Sequence, residues 1–220
     1  MIIIEVIGLA GAGKSTLTRA MFETIPNNLG SYRLAKARST IRILLSIFRA
    51  LPLILIQGKT RIGIKQWYWL GHFEASIHDL NRRSQIEGCQ ILILDQGPIF
   101  EFIAIKRYLL SGRYGDYLAS VYFKLLQKFY ASIDAVVYLQ APDSVLLERV
   151  MSRQSSHLLK NMNVDEQRNQ MAFYRAEYNN IFSAATAAGV SVVTLDTQLY
   201  SESQMLNETL KLLAEQGVLL

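Results

Sequence analysis

The chain has 220 residues, 50% of them hydrophobic and 19% charged, with a formal net charge of +5. That length and apolar content exclude a disordered segment and suit one α/β domain, while basic residues spread along the chain suit anionic small ligands better than a nucleic-acid groove. Cys89, the single cysteine, excludes a disulfide framework and a multi-cysteine zinc site and fits a reducing cytosol; with no basic leader or cleavage site before the first apolar run, a signal peptide is not expected.

Ile2, Ile3, Ile4, Val6 and Ile7 predict a buried strand that runs into a glycine-rich turn. The turn, Gly8-Leu9-Ala10-Gly11-Ala12-Gly13-Lys14-Ser15, followed by Thr16, is a complete G-x-x-x-x-G-K-S phosphate loop. Gly8, Gly11 and Gly13 let the backbone aim its amide N–H groups into one concavity at the positive end of a helix starting near Lys14. Such a concavity selects polyphosphate. Lys14 would reach the terminal phosphates as a point charge, and Ser15 would offer its hydroxyl to a magnesium ion bridging them. A turn without a ligand would explain the glycines but not the lysine and serine. Leu17, Ala20, Met21, Thr24 and Ile25 then recur at helical spacing, as a helix after the loop requires.

Pro26-Asn27-Asn28-Leu29-Gly30 reads as a turn, and 31–35 as a weak second strand. The stretch 41–56 is nearly all apolar but carries Arg42 and Arg49 and is interrupted by Pro52, so it is too short and too charged for a membrane span. A buried helix broken at Pro52 is the plainer reading. Flanking Arg38, Lys59, Arg61 and Lys65 keep a peripheral membrane contact open, and an apolar acceptor pocket is a third reading. Segment 62–83 reads as a helix with an aromatic start at Trp67, Tyr68 and Trp69, explained by core packing or by stacking on a flat acceptor. His72 and His78 lack the spacing that puts two ligands on one helix face, so no metal site is expected there. Gly88 ends that helix. Ile91–Asp95 is a second buried run, finishing in a carboxylate. Because ligands in an open parallel sheet bind beyond the carboxyl ends of the strands, Asp95 is expected beside the phosphate loop, as a magnesium ligand or a base. The plainer alternative is an aspartate capping the turn Gln96-Gly97-Pro98.

Leu118, Val121, Tyr122, Leu125, Leu126, Phe129 and Tyr130 form a helical stripe that reads as core. A strand over 134–139 leads to a helix with Pro142 in first position and Asp143 in its first turn, continuing over 144–153. Arg149 and Arg153, four apart, would share a face of it; such a pair can grip a nucleotide, though solvated surface charge explains it too. A long helix over 165–188, Gly189 and a last strand over 191–195 closed by Asp196-Thr197 follow. Ser201 and Gln204 read as a capping box for a final helix with Met205, Leu206, Leu210, Leu212 and Leu213 facing inward. Strands alternating with helices predict an α/β fold, a parallel sheet of about five strands covered on both faces, in a single domain over 1–220.

On these motifs the chain resembles the nucleoside and nucleotide kinase group of phosphate-loop proteins, with a thymidylate-kinase-like layout. The likeness spans most of the length and is specific at 8–16, at the strand ending in Asp95, over 138–153 and at Leu195-Asp196-Thr197. It implies a three-layer P-loop NTPase fold with an acceptor-side insertion over about 30–80 and a lid over about 150–165 that carries His157 and Lys160. It implies ATP and Mg2+ as cofactors, with ATP held by Gly8, Gly11, Ala12, Gly13, Lys14, Ser15 and Thr16. By the same likeness Arg149 stacks on adenine, Arg153 contacts the transferring phosphates and Thr197 borders the base. Metal ligation falls to Ser15 and Asp95, and catalysis to Lys14, Asp95 and Arg153. The activity implied is an ATP-dependent small-molecule kinase passing the γ-phosphate to a hydroxyl or phosphate of a nucleoside, nucleotide or other metabolite. In that group the acidic strand commonly runs into Asp-Arg or Glu-Arg. Here Gln96 follows Asp95, and a neutral amide cannot fork to a phosphate dianion, which favours an uncharged hydroxyl acceptor.

Three other classes compete. A GTPase switch would carry N-K-x-D and D-x-x-G, and Asp95-Gln96-Gly97 fits neither. Leu110-Ser111-Gly112-Arg113 partly matches a transporter-ATPase signature but follows the acidic strand where those subunits place it before. A degenerate kinase acting as a membrane-associated nucleotide-binding protein rests on 41–56. The partner expected is a small phosphoryl acceptor, with no nucleic acid and with room for a homodimer.

Overall fold

Runs of isoleucine, valine and leucine with no polar alternation are stable as strands only where both faces are covered, and three such runs form the middle of the sheet. The computed structural model describes residues 1–25, 28–32, 77, 91–95, 97–109 and 115–219. Its strands are β1 (Ile2–Gly8), β2 (Asn28–Tyr32), β3 (Ile91–Asp95), β4 (Ala135–Gln140) and β5 (Ser191–Asp196). They form one five-stranded sheet in the order β2-β3-β1-β4-β5, every neighbouring pair parallel. β3 is buried along its whole length, whereas edge strand β5 leaves Thr194 exposed between buried Val193 and Leu195.

The helices are α1 (Lys14–Thr24), α2 (Pro98–Leu109), α3 (Gly115–Tyr130), α4 (Asp143–Met151), α5 (Val164–Ala187) and α6 (Glu202–Glu215), with a short 3-10 turn at Leu158–Asn161. α1 packs on α6 and on β2 and β3; α2 packs on α3 and α5. The two groups are the helical layers of a three-layer α/β fold. Both long C-terminal helices open on capping boxes, Asn163 with Glu166 at α5 and Ser201 with Gln204 at α6. α6 buries Met205 and Leu213 and half-buries Leu206, Leu210 and Leu212.

Several local expectations need correcting. Asn28, Leu29 and Gly30, read as a turn, already belong to β2, which pairs with β3 through a register shift between Asn28 and Ser31. In α1, Thr24 is exposed and Thr18 is buried in its place. The turn at Gly97-Pro98 opens directly into α2, a helix the apolar pattern had not suggested, with Pro98 at its first position, where a missing N–H costs nothing. Pro142 is the cap of α4 rather than its first residue. The helix stops at Met151, because Ser152, Ser155 and Ser156 offer little helix propensity. Arg153 therefore lies beyond the helix, and the shared face expected for Arg149 and Arg153 does not form.

Most of the expected acceptor-side insertion lies outside the described residues, as do the apolar stretch 41–56, His72, His78, Gly88, Cys89, Gln96 and the segment 110–113. Within 62–83 only Ile77 is described, helical and buried. Among the described residues no helix is long and apolar enough to cross a membrane.

Candidate active site

The central strand ends where the glycines begin, and the geometry there explains each of them. Gly8, Gly11 and Gly13 have φ values of 151°, 88° and 86°. A side chain at Gly8 would meet the Leu139 carbonyl oxygen at 2.3 Å, and one at Gly11 the Leu146 carbonyl oxygen at 2.6 Å, so the loop is pressed against β4 and α4. Gly13 caps α1 without a side-chain acceptor, and Thr16 and Leu17 donate their N–H groups to its carbonyl at 3.1 and 3.0 Å. Ala12 donates to Leu9 O at 3.2 Å and is fully buried. Lys14 bends back so that Nζ donates to Gly8 O at 2.8 Å and Leu9 O at 2.9 Å, which sets the ammonium at the rim of the loop.

Asp95 arrives where a strand end next to β1 must put it. Its backbone is level with Val6 in the β1–β3 register, and its carboxylate is 3% exposed. Ser15 Oγ donates to Asp95 Oδ2 at 3.0 Å across 80 residues of sequence. A hydroxyl and a carboxylate at that separation are the hard oxygen donors magnesium takes, and their small number suits an ion that completes its shell with substrate phosphates and water. Among the described residues no group of three or more His, Cys, Asp or Glu could hold a metal by itself.

Glu5 is a residue the sequence reading passed over. It stands in the middle of β1, 0% exposed, and accepts hydrogen bonds from the N–H groups of Ile99 and Phe100 at 3.2 Å each. The carboxylate therefore caps α2, the helix that leaves the strand carrying Asp95. Gly97 is fitted to it, since a Cβ there would lie 2.7 Å from the Glu5 carboxyl carbon. Its sequence signal was one acid inside an otherwise apolar strand.

The arginine expected to stack on a base has other engagements. Arg149 Nη1 donates to Thr197 Oγ1 at 2.9 Å and to Gly11 O at 3.3 Å, and Nη2 donates to Thr197 O at 3.1 Å. This guanidinium ties the phosphate loop to the segment after β5 and so places both Arg149 and buried Thr197 beside the loop. Arg153 is exposed, and its carbonyl accepts from Lys160 Nζ. The segment after α4 turns at His157, whose Nδ1 accepts from Leu159 N at 3.2 Å. Burial lowers the proton affinity of His157, and the positive charges of Arg153, Lys14 and Lys160 lower it further. This segment and the loop therefore approach each other at the His157 imidazole.

α5 braces the loop from behind. Tyr178, fully buried, donates its hydroxyl to Gly8 O at 3.2 Å and stacks on Phe182 at 6.0 Å between ring centroids, with Tyr138 of β4 5.2 Å away. Burial above all, then the neighbouring Tyr174, Tyr138 and Glu5, pushes its phenol well above the usual range and keeps it a donor. Arg175 reaches Asp143 at 2.5 Å and Ala141 O at 2.7 Å, and Lys106 of α2 pairs with Glu177 at 2.5 Å. Tyr174, Tyr178 and Phe182 recur every four residues, the signal from which this wall was readable.

No family model and no curated protein sequence matches the chain. Solved structures do. The chain superposes on thymidylate kinase from Candida albicans with a TM-score of 0.61 at 15% identity, over 99% of this chain and 92% of that one. It superposes on deoxyadenosine kinase from M. mycoides with bound dATP with a TM-score of 0.56 at 18% identity, over 95% and 98% of the two chains. The YorR protein from Bacillus subtilis, in complex with phosphorylated GDP, gives 0.52 at 15% identity over 96% and 95%. At this identity the likeness speaks to the backbone, and the chain has the α/β fold of the P-loop nucleoside and nucleotide kinases.

Proposed function

We propose that the protein is an ATP-dependent small-molecule phosphotransferase that passes the γ-phosphate of ATP to a nucleoside, nucleotide or related metabolite. The observation that carries this reading is the 3.0 Å contact between Ser15 of the phosphate loop and the Asp95 carboxylate at the end of β3. A phosphate loop alone binds nucleotide; a buried carboxylate fixed beside its serine adds a group able to act on the attacking oxygen. The donor set fits magnesium, with Ser15 and Asp95 as its protein ligands. When bound, the ion would neutralise charge on the phosphates being transferred.

The side chains have distinct roles. The glycine backbone receives the polyphosphate, and the Lys14 ammonium moves from the Gly8 and Leu9 carbonyls onto the terminal phosphates. Asp95 accepts the proton of an acceptor hydroxyl or holds that hydroxyl in line. Arg149 fixes the loop to the Thr197 segment, where the base of the nucleotide would lie, and Arg153 and Lys160 bring positive charge with the lid. A single cysteine and a reaction that consumes ATP fit a reducing cytosol.

The test is ADP release by the full chain with Mg2+ and ATP against nucleosides, nucleotides, sugars and polyprenols. We expect acceptor-dependent release that Lys14→Ala reduces by at least about a hundredfold while the variant still unfolds cooperatively. Turnover retained in that variant contradicts the reading.

A further inference from the structure

Two side chains share one carbonyl at the start of the phosphate loop. Gly8 O accepts from Lys14 Nζ at 2.8 Å and from the Tyr178 hydroxyl at 3.2 Å. A carbonyl oxygen carries two lone pairs, so the ammonium and the phenol together fill its capacity. Gly8 is buried, and if either donor leaves, the other keeps the oxygen paired.

The two donors differ in freedom. Tyr178 is fully buried, its ring stacked on Phe182 at an interplanar angle of 8° and set 5.2 Å from Tyr138 and 6.3 Å from Tyr174 between centroids. Its hydroxyl cannot be withdrawn without repacking that cluster. Lys14 instead ends a flexible four-carbon stem, and to act on a polyphosphate it must turn its ammonium outward. Gly8 does not follow it, because the residue is pressed against β4, with Leu139 O only 2.3 Å from where a Cβ would stand. One donor is locked in place and the other is built to move.

We propose that Tyr178 is a positioning residue for Lys14: its hydroxyl keeps the Gly8 carbonyl paired as the ammonium turns toward the polyphosphate, so the lysine's movement strands no buried acceptor. The inference rests on the phosphotransferase reading for where Lys14 goes, but it is read in binding and stability rather than in turnover. Without the hydroxyl, Lys14 still pairs Gly8 O in the empty site and no longer does so fully in the loaded one, so the loss falls on nucleotide binding. A tyrosine that merely braced the loop would weaken binding whether or not residue 14 is a lysine.

The experiment is a double-mutant cycle on the full chain: wild type, Tyr178→Phe, Lys14→Ala and the double variant, each titrated calorimetrically with ATP and Mg2+ and each unfolded thermally without ligand. We expect Tyr178→Phe to weaken ATP binding by about fivefold when Lys14 is present and by less than about twofold when it is alanine. In the ligand-free proteins the order reverses, since only the double variant removes both donors from Gly8 O: the drop in thermal midpoint caused by Tyr178→Phe should be larger by about 2 °C or more in the Lys14→Ala background. Tyr178→Met replaces Tyr178→Phe if that variant does not unfold cooperatively, and the ligand-free cycle decides if Lys14→Ala binds ATP too weakly to titrate. Equal effects of Tyr178→Phe in the two backgrounds, in either measurement, or unchanged ATP affinity in the single variant, overturn the inference. The expected cycle without ADP release in the turnover assay would instead refute the phosphotransferase reading and leave the role of Tyr178 standing.

Discussion

A carboxylate fully buried in the central strand has to be held by donors, and Glu5 is held by the first N–H groups of α2 at Ile99 and Phe100. Truncating it strands both donors at the helix end that leads away from Asp95. Glu5→Ala should lower the unfolding free energy by about 3 kcal/mol, measured by urea denaturation, with turnover falling alongside; an unchanged midpoint would show that α2 finds other caps. Asp95 was legible because a strand that ends in a carboxylate, next to a phosphate loop in a parallel sheet, has few places to go. Glu5 was not. Its partners lie more than ninety residues away as main-chain N–H groups, which carry no residue-type signal. Arg149 was picked out by its spacing from Arg153, but the contacts it makes are to Thr197 and Gly11, and these depend on tertiary structure alone.

Among the elements, α5 holds the loop through Tyr178 on Gly8 O and holds α4 through Arg175 on Asp143. Tyr178→Phe keeps the ring packing and removes one buried hydrogen bond, so we expect a loss of about 1 kcal/mol in thermal or urea unfolding and a weaker hold on the loop, read as reduced ATP affinity. A larger stability loss with unchanged ATP affinity would assign the hydroxyl a purely structural role. The turn at His157 carries a pH dependence. Because burial and three nearby cations lower the proton affinity of His157, the folded chain takes up that proton less readily than the unfolded one. Its contribution to stability is complete above the ordinary value of 6.5 and is lost as pH falls below it. His157→Asn keeps a side-chain acceptor for Leu159 N and removes the titration, so the fall in stability between pH 7 and pH 5 should be shallower than in the wild type. An unaltered slope would show that other groups carry it. The end of α4 was misjudged because the periodic pattern continues to Arg153 while Ser152 and the serines after it do not sustain a helix.

At the scale of the whole molecule, alternation of apolar strands with amphipathic helices, the glycine punctuation at 8–13 and the capping box at Ser201 were enough to read a parallel sheet covered on two sides. What alternation does not specify is strand order. β1 sits between β3 and β4 because the loop it feeds must be flanked by both, with Leu139 against Gly8 on one side and Asp95 beside Ser15 on the other. Helix α2 was missed because its start coincides with a Gly-Pro pair that reads as a turn.

On the function proposed above, the pairing of Ser15 with Asp95 is what would distinguish an enzyme from a nucleotide-binding module, and Asp95→Asn tests it with minimal change of shape. With the acceptor found by the ADP-release screen, we expect turnover to fall by about a hundredfold or more while ATP affinity, measured by titration on the same preparation, stays within about threefold. Turnover close to wild type, or a fall in turnover matched by an equal fall in ATP affinity, would contradict a catalytic carboxylate at the end of β3.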